Sequence, residues 1–190
     1  MEKKLMALAL FLVALAATVT AQTQVLSNPE FNGCTPGNSG GFSASPWTNG
    51  RGTYSFSYWG NLFNNEPAGD DCFYFLKLPS PNNYVTQTNI NLASPSYYDF
   101  ETYASCNHGP GTCTFSLTIN GNDVPLTDNV LPQFYPITLT SITASNIIIS
   151  SSPATVVITA IPVGVNGQAF VTHATLTAPP DGDHDGILNF

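Results

Sequence analysis

Between Tyr97 and Ile119 the chain alternates apolar and polar residues through two stretches, and a cysteine marks the facing end of each. On the first, Tyr98, Phe100, Thr102, Ala104 and Cys106 take turns with Tyr97, Asp99, Glu101, Tyr103 and Ser105. On the second, Cys113, Phe115, Leu117 and Ile119 take turns with Thr114, Ser116 and Thr118. A repeat of two is that of a β-strand, whose successive side chains leave opposite faces. A chain so patterned builds a sheet with one buried face and one solvated face. The spacing predicts an antiparallel hairpin closed by a loop over 107–112, with Cys106 opposite Cys113. In that register Ala104 opposes Phe115, Thr102 opposes Leu117 and Phe100 opposes Ile119, so every pair falls on the apolar face. The other face presents Tyr97, Asp99, Glu101 and Tyr103 to solvent.

Similar runs recur at short intervals, predicting strands over 24–27, 53–59, 72–78, 84–92, 97–105, 113–120, 135–141, 146–150, 155–161 and 169–177. Turn signals separate them, among them Asn32-Gly33, Asn49-Gly50, Asn120-Gly121 and Asn166-Gly167. Asn120-Gly121 directly after an alternating strand predicts a tight hairpin turn. No stretch beyond residue 21 carries a helical period. Many short strands with punctuated turns point to an all-β chain, an antiparallel β-sandwich of the jelly-roll kind. The run Ile147-Ile148-Ile149 is apolar at successive positions, as in a strand covered on both sides or an edge that pairs with another chain.

The first residues read differently. Met1-Glu2-Lys3-Lys4, an apolar run over 5–17 and small residues up to Ala21 describe a secretory signal peptide, with cleavage expected near Ala21–Gln22. The apolar run is too short for a comfortable membrane span, and no later stretch could be one. The expected organisation is a signal peptide over 1–21, one sandwich over 22–178 and a tail over 179–190. Once the signal is removed, Arg51 and Lys77 are the two bases left against eleven acids, a net charge of about −9. That balance excludes a phosphate-backbone partner, which needs clustered Lys and Arg.

Export makes disulfides the expected state of Cys34, Cys72, Cys106 and Cys113. Three connectivities are possible. The hairpin register selects Cys106–Cys113, which leaves Cys34–Cys72. There is no C-x-x-C spacing of a zinc site and no His-Glu-x-x-His.

One further pattern concerns order. Val25-Leu26-Ser27-Asn28-Pro29-Glu30-Phe31 is followed by Pro46-Trp47 after a Gly-rich loop. Next come Tyr84-Val85-Thr86-Gln87-Thr88-Asn89-Ile90-Asn91-Leu92, the strand at 97–104, Leu117-Thr118-Ile119-Asn120-Gly121, and a closing Ala174-Thr175-Leu176. Over roughly residues 25–178 this order resembles the galactose-binding-like jelly rolls, which include several carbohydrate-binding modules. The resemblance implies a sugar-binding sandwich, and a structural calcium near the two chain ends for which Glu30 is the candidate ligand. Asn32 stands where that family often has Glu, and Thr172-His173-Ala174 lacks its frequent acidic residue.

The residues themselves point to the same class of ligand. Sugars offer flat C–H faces to aromatic rings and hydroxyls to carboxylates or amides. Tyr97, Asp99, Glu101 and Tyr103 supply both. Gln87 and Asn89 would share one face of their strand and extend that surface if the strand lies beside 97–105, and Trp59 could rim it. In the tail, Asp181, Asp183, Asp185 and Gly186 match the opening of a calcium loop. The expected function is a secreted, non-catalytic module that binds carbohydrate or an extracellular surface. A self-associating structural subunit is the alternative. A glycan hydrolase using Asp99 and Glu101 comes third.

Overall fold

The computed structural model describes residues 22–32, 45–49, 56–57, 73–77, 84–92, 96–107, 111–132, 138–163 and 168–178. Twelve strands run through them: β1 (Thr23–Gln24), β2 (Thr48–Asn49), β3 (Phe56–Ser57), β4 (Phe73–Lys77), β5 (Tyr84–Ile90), β6 (Ser96–Asn107), β7 (Thr112–Ile119), β8 (Asn122–Val124), β9 (Val130–Pro132), β10 (Thr140–Ile149), β11 (Ala154–Val163) and β12 (Gln168–Ala178). They form two antiparallel sheets. The first has the order β10-β6-β12-β4-β3, with β1 also on β12. The second has the order β2-β5-β11-β7-β8, with β9 also on β7. The chain is a β-sandwich of jelly-roll type. Among the described residues no helix is long and apolar enough to cross a membrane.

The alternation that predicts β6 and β7 is obeyed, but the hairpin is not. β6 lies in the first sheet, paired with β10 and β12, and β7 lies in the second, paired with β11, β8 and β9. Ala104 is backed by Thr140 and Val171, and Phe115 by Ala160. The predicted partners instead belong to opposite walls of one core. Phe100 and Ala104 from β6 and Phe115, Leu117 and Ile119 from β7 are all buried in a single cluster. The Cys106–Cys113 disulfide is present, with Cα atoms 5.6 Å apart. It staples the corner where the chain leaves one sheet for the other. A period of two says which face is buried, not which strand lies alongside, so both arrangements satisfy the same pattern. Residues 1–21 and 179–190, Cys34 and Cys72 lie outside the described residues.

The Asn120-Gly121 turn closes the β7–β8 hairpin as predicted. Leu117 faces Val124 and Ile119 faces Asn122, and the two turn residues have φ of 52° and 79°. Positive φ at both central residues is the mark of a turn that matches strand twist. Strands predicted separately over 135–141 and 146–150 are joined in β10. The register shifts between Ala144 and Ile147, where Asn146 has φ of 58°. The bulge restores alternation, so Ile142, Ala144, Ile147 and Ile149 are all buried. Ile148 is 65% exposed, so the triple-isoleucine run is an alternating strand at the end of its sheet and is not covered on both sides.

The N-terminal segment is knitted into this frame by side chains. Gln24 Oε1 accepts from the backbone N–H groups of Val25, Leu26 and Leu176. Phe31 and Trp47 pack with ring centroids 4.9 Å apart, both buried, and Trp47 Nε1 donates to Asn28 O at 2.9 Å. The Asn-Pro-x-Phe segment and its Trp therefore form a plug over the core.

Candidate functional site

Alternation along β6 sends Tyr97, Asp99, Glu101 and Tyr103 to the outer face of the first sheet, all four half-buried. One end of that face is closed. Ser105 and its partner Phe170 are buried, and Phe170 lies outside the core cluster. Beyond them an open depression of about 260 Å³ surrounds the two acids. Its walls are Thr143 and Ser145 from β10, Thr175 and Thr177 from β12, and Gln22.

Each carboxylate is steadied by β10. Asn146 N donates to Asp99 Oδ1 at 3.0 Å, and Ser141 Oγ donates to Glu101 Oε1 at 2.6 Å. The β10 bulge enables the first bond, because it places an extra residue opposite Asp99. A second bulge, in β12, falls between Thr172 and Thr175. His173 sits there with φ of 49° and meets Tyr103 edge-on, with ring centroids 5.6 Å apart. The carbonyl of Thr172 then accepts from the buried Thr102 hydroxyl at 2.9 Å. Sequence reasoning treats His173 as an ordinary strand residue. No local signal marks the bulge that brings it to Tyr103.

The other expected members are elsewhere. β5 belongs to the second sheet, so Gln87 and Asn89 do not extend the face of β6. They do not share a face either. The register of β5 shifts between Gln87 and Ile90, where Asn89 takes φ of 58°. Gln87 therefore turns inward with Val85 and Ile90, and Asn89 is exposed. Gln87 is 3% exposed and closes on Ser27, accepting from its N–H at 2.9 Å and donating to its carbonyl at 2.8 Å. It is a clamp on the N-terminal segment. Trp59 lies outside the described residues.

The same end of the sandwich holds Glu30, the candidate calcium ligand of the family resemblance. Glu30 is half-buried, and the carbonyls beside it accept hydrogen bonds from within the protein. Asn28 O accepts from Trp47 Nε1, Pro29 O from Ala174 N, and Asn32 O from Asn28 Nδ2. Among the described residues no three Asp, Glu, His or Cys side chains converge to hold a metal. Asp181, Asp183 and Asp185 lie outside the described residues.

No protein-family model and no curated protein sequence matches the chain. Solved structures do. The fold is similar to TmCBM61 in complex with beta-1,4-galactotriose, at a TM-score of 0.52 and 13% identity, covering 81% of this chain and 97% of that one. It is also similar to the N-terminal CBM22-1-CBM22-2 tandem domain of Paenibacillus barcinonensis Xyn10C, at a TM-score of 0.50 and 11% identity, covering 90% of this chain and 49% of that one. At such identities the likeness is one of fold, the jelly-roll sandwich of carbohydrate-binding modules.

Proposed function

We propose that this chain is a secreted, non-catalytic carbohydrate-binding module whose ligand lies against the outer face of β6. The observation that carries the reading is the open depression around Asp99 and Glu101. It offers two anchored acceptors and a wall of threonine and serine hydroxyls, with Tyr97 and Tyr103 on the same strand face. A saccharide needs such a surface, with hydrogen-bonding groups fixed in place beside aromatic area. Fold kinship to a module solved with beta-1,4-galactotriose supports it. Secretion is supported by the basic-apolar-small pattern of residues 1–21 and by the disulfide. Asp99 and Glu101 leave one strand on one side, whereas hydrolysis places its two carboxyl groups on either side of the scissile bond. Binding without turnover is the function this geometry supports.

The test is a glycan array followed by calorimetry on the protein and on Tyr103→Ala. The expected result is millimolar or tighter binding of a saccharide, weakened about tenfold by the substitution, the scale of one lost aromatic contact of about 1.4 kcal/mol. Absence of binding to every saccharide at millimolar concentration overturns the proposal.

A further inference from the structure

A second depression adjoins the first. Among the described strands, β10 ends the first sheet and β8 ends the second. A groove of about 370 Å³ opens between them, lined by buried Ile147 and Ile149 and by exposed Asn122, Asp123, Ser150 and Ser151. Ser145 lines both this groove and the depression around Asp99 and Glu101. Its neighbour Asn146 also lines the groove, while its N–H is bonded to Asp99. The β10 bulge is therefore a rim with one depression on either side. The groove's walls are tied together. Asn120 Nδ2, in the β7–β8 turn, donates to Ser151 Oγ, beyond the end of β10, at 2.9 Å. Its shape is thus fixed before any ligand arrives, which cuts the cost of ordering on binding.

We infer that one linear saccharide chain occupies both depressions, lying across the β10 bulge, so that the module recognises several consecutive sugars of a long chain. This rests on the reading of the first depression as a saccharide site. The groove continues the same chemistry. Its amide, carboxylate and hydroxyl groups match sugar hydroxyls, and Ile148, 65% exposed, adds aliphatic surface for C–H faces. An extended peptide pairing with the edge of β10 is the competing occupant. Thr127 stands in its way. Its N–H donates to Thr143 O at 2.9 Å, and its hydroxyl accepts from Thr143 N at 3.4 Å. A strand added along β10 would have to displace those bonds, whereas a saccharide in the groove uses side chains and leaves them in place.

The test is calorimetry and amide NMR on the protein with the trimer and hexamer of β-1,4-linked galactose, glucose and xylose, and of any glycan that the array selects. The expected result, in a series that binds, is at least about tenfold tighter binding of the hexamer than of the trimer, the ~1.4 kcal/mol of one or two added hydrogen bonds. Overlapping trimer frames along a hexamer account for only about fourfold of that. The hexamer should also shift the amides of Asn122, Asp123 and Ser150 in the groove. Asn122→Ala combined with Asp123→Ala, both at exposed positions, should bring the hexamer-to-trimer ratio down to about the statistical fourfold. Ile161→Ala, at a 52% exposed position on the second sheet, should leave the ratio intact. A ratio below about tenfold in every series that binds, or hexamer shifts confined to the first depression, overturns the extended site and leaves the first depression standing. So does a ratio that survives Asn122→Ala with Asp123→Ala, or one that is lost in Ile161→Ala. Groove amides that shift with a hexapeptide of alternating threonine and valine, and not with a hexasaccharide, mark a peptide edge and overturn it too. Failure of every oligomer and of every glycan on the array overturns the saccharide site as well.

Discussion

Replacing Gln87 should destabilise the fold and leave ligand affinity alone. Its side-chain amide makes two bonds to one residue, to the N–H and the carbonyl of Ser27, at 2.9 and 2.8 Å. Each such bond contributes a net ~1 kcal/mol. Ser27 is exposed, so water can reach its freed backbone groups and the penalty for orphaned polar atoms is small. Truncating a buried side chain adds a modest packing loss. Gln87→Ala should therefore cost about 2–3 kcal/mol. For a chain of this size that lowers Tm by about 5–10 °C. Urea unfolding measures the first quantity and calorimetric scanning the second. Native-state hydrogen exchange adds a local readout, because the Val25 and Leu26 amides should lose protection along with the clamp. Calorimetry with the best saccharide from the array supplies the contrast, with affinity expected to be unchanged. A loss of affinity with unfolding unchanged to within about 0.5 kcal/mol would refute the reasoning and return Gln87 to the binding surface.

Replacing both Cys106 and Cys113 by Ala should cost about 2–3 kcal/mol, since the staple closes a short loop of sequence separation 7 between the sheets. An unfolding midpoint equal to that of the parent chain would argue against it. Gly121→Ala tests the β7–β8 turn. Nothing lies within 4 Å of an added Cβ, so the cost is that of placing an L-residue at φ of +79°, about 1–2 kcal/mol by urea unfolding. A neutral substitution would show that the turn is held by something other than backbone preference.

How far the fold is legible can be judged from β6 and its neighbours. The inward set Tyr98, Phe100, Thr102, Ala104 and Cys106 can be read from the sequence because burial follows parity, and parity is local. The Asn120-Gly121 turn is legible for a similar reason, since two adjacent residues suffice to set its backbone. The assignment of β7 to the opposite sheet is not, because strand neighbours are chosen by long-range packing between residues far apart in the chain. The bulges at Asn89, Asn146 and His173 are equally hidden. Each inserts a residue that resets parity, and Asn or His at positive φ carries no local mark of that role.

The candidate site divides along the same line. Alternation alone places Tyr97, Asp99, Glu101 and Tyr103 together on one solvent-facing side of one strand, because side chains two apart share a face whatever lies beside them. Only the tertiary structure decided what surrounds them. It set β10 and β12 on either side of β6, so that a bulge from each delivers Asn146 N to Asp99 and His173 to Tyr103. It also sent β5 to the far sheet, which converts Gln87 from an expected ligand contact into a buried clamp. A strand's own sequence determines which way its side chains point, but its neighbours are set by the burial of both sheets in one common core.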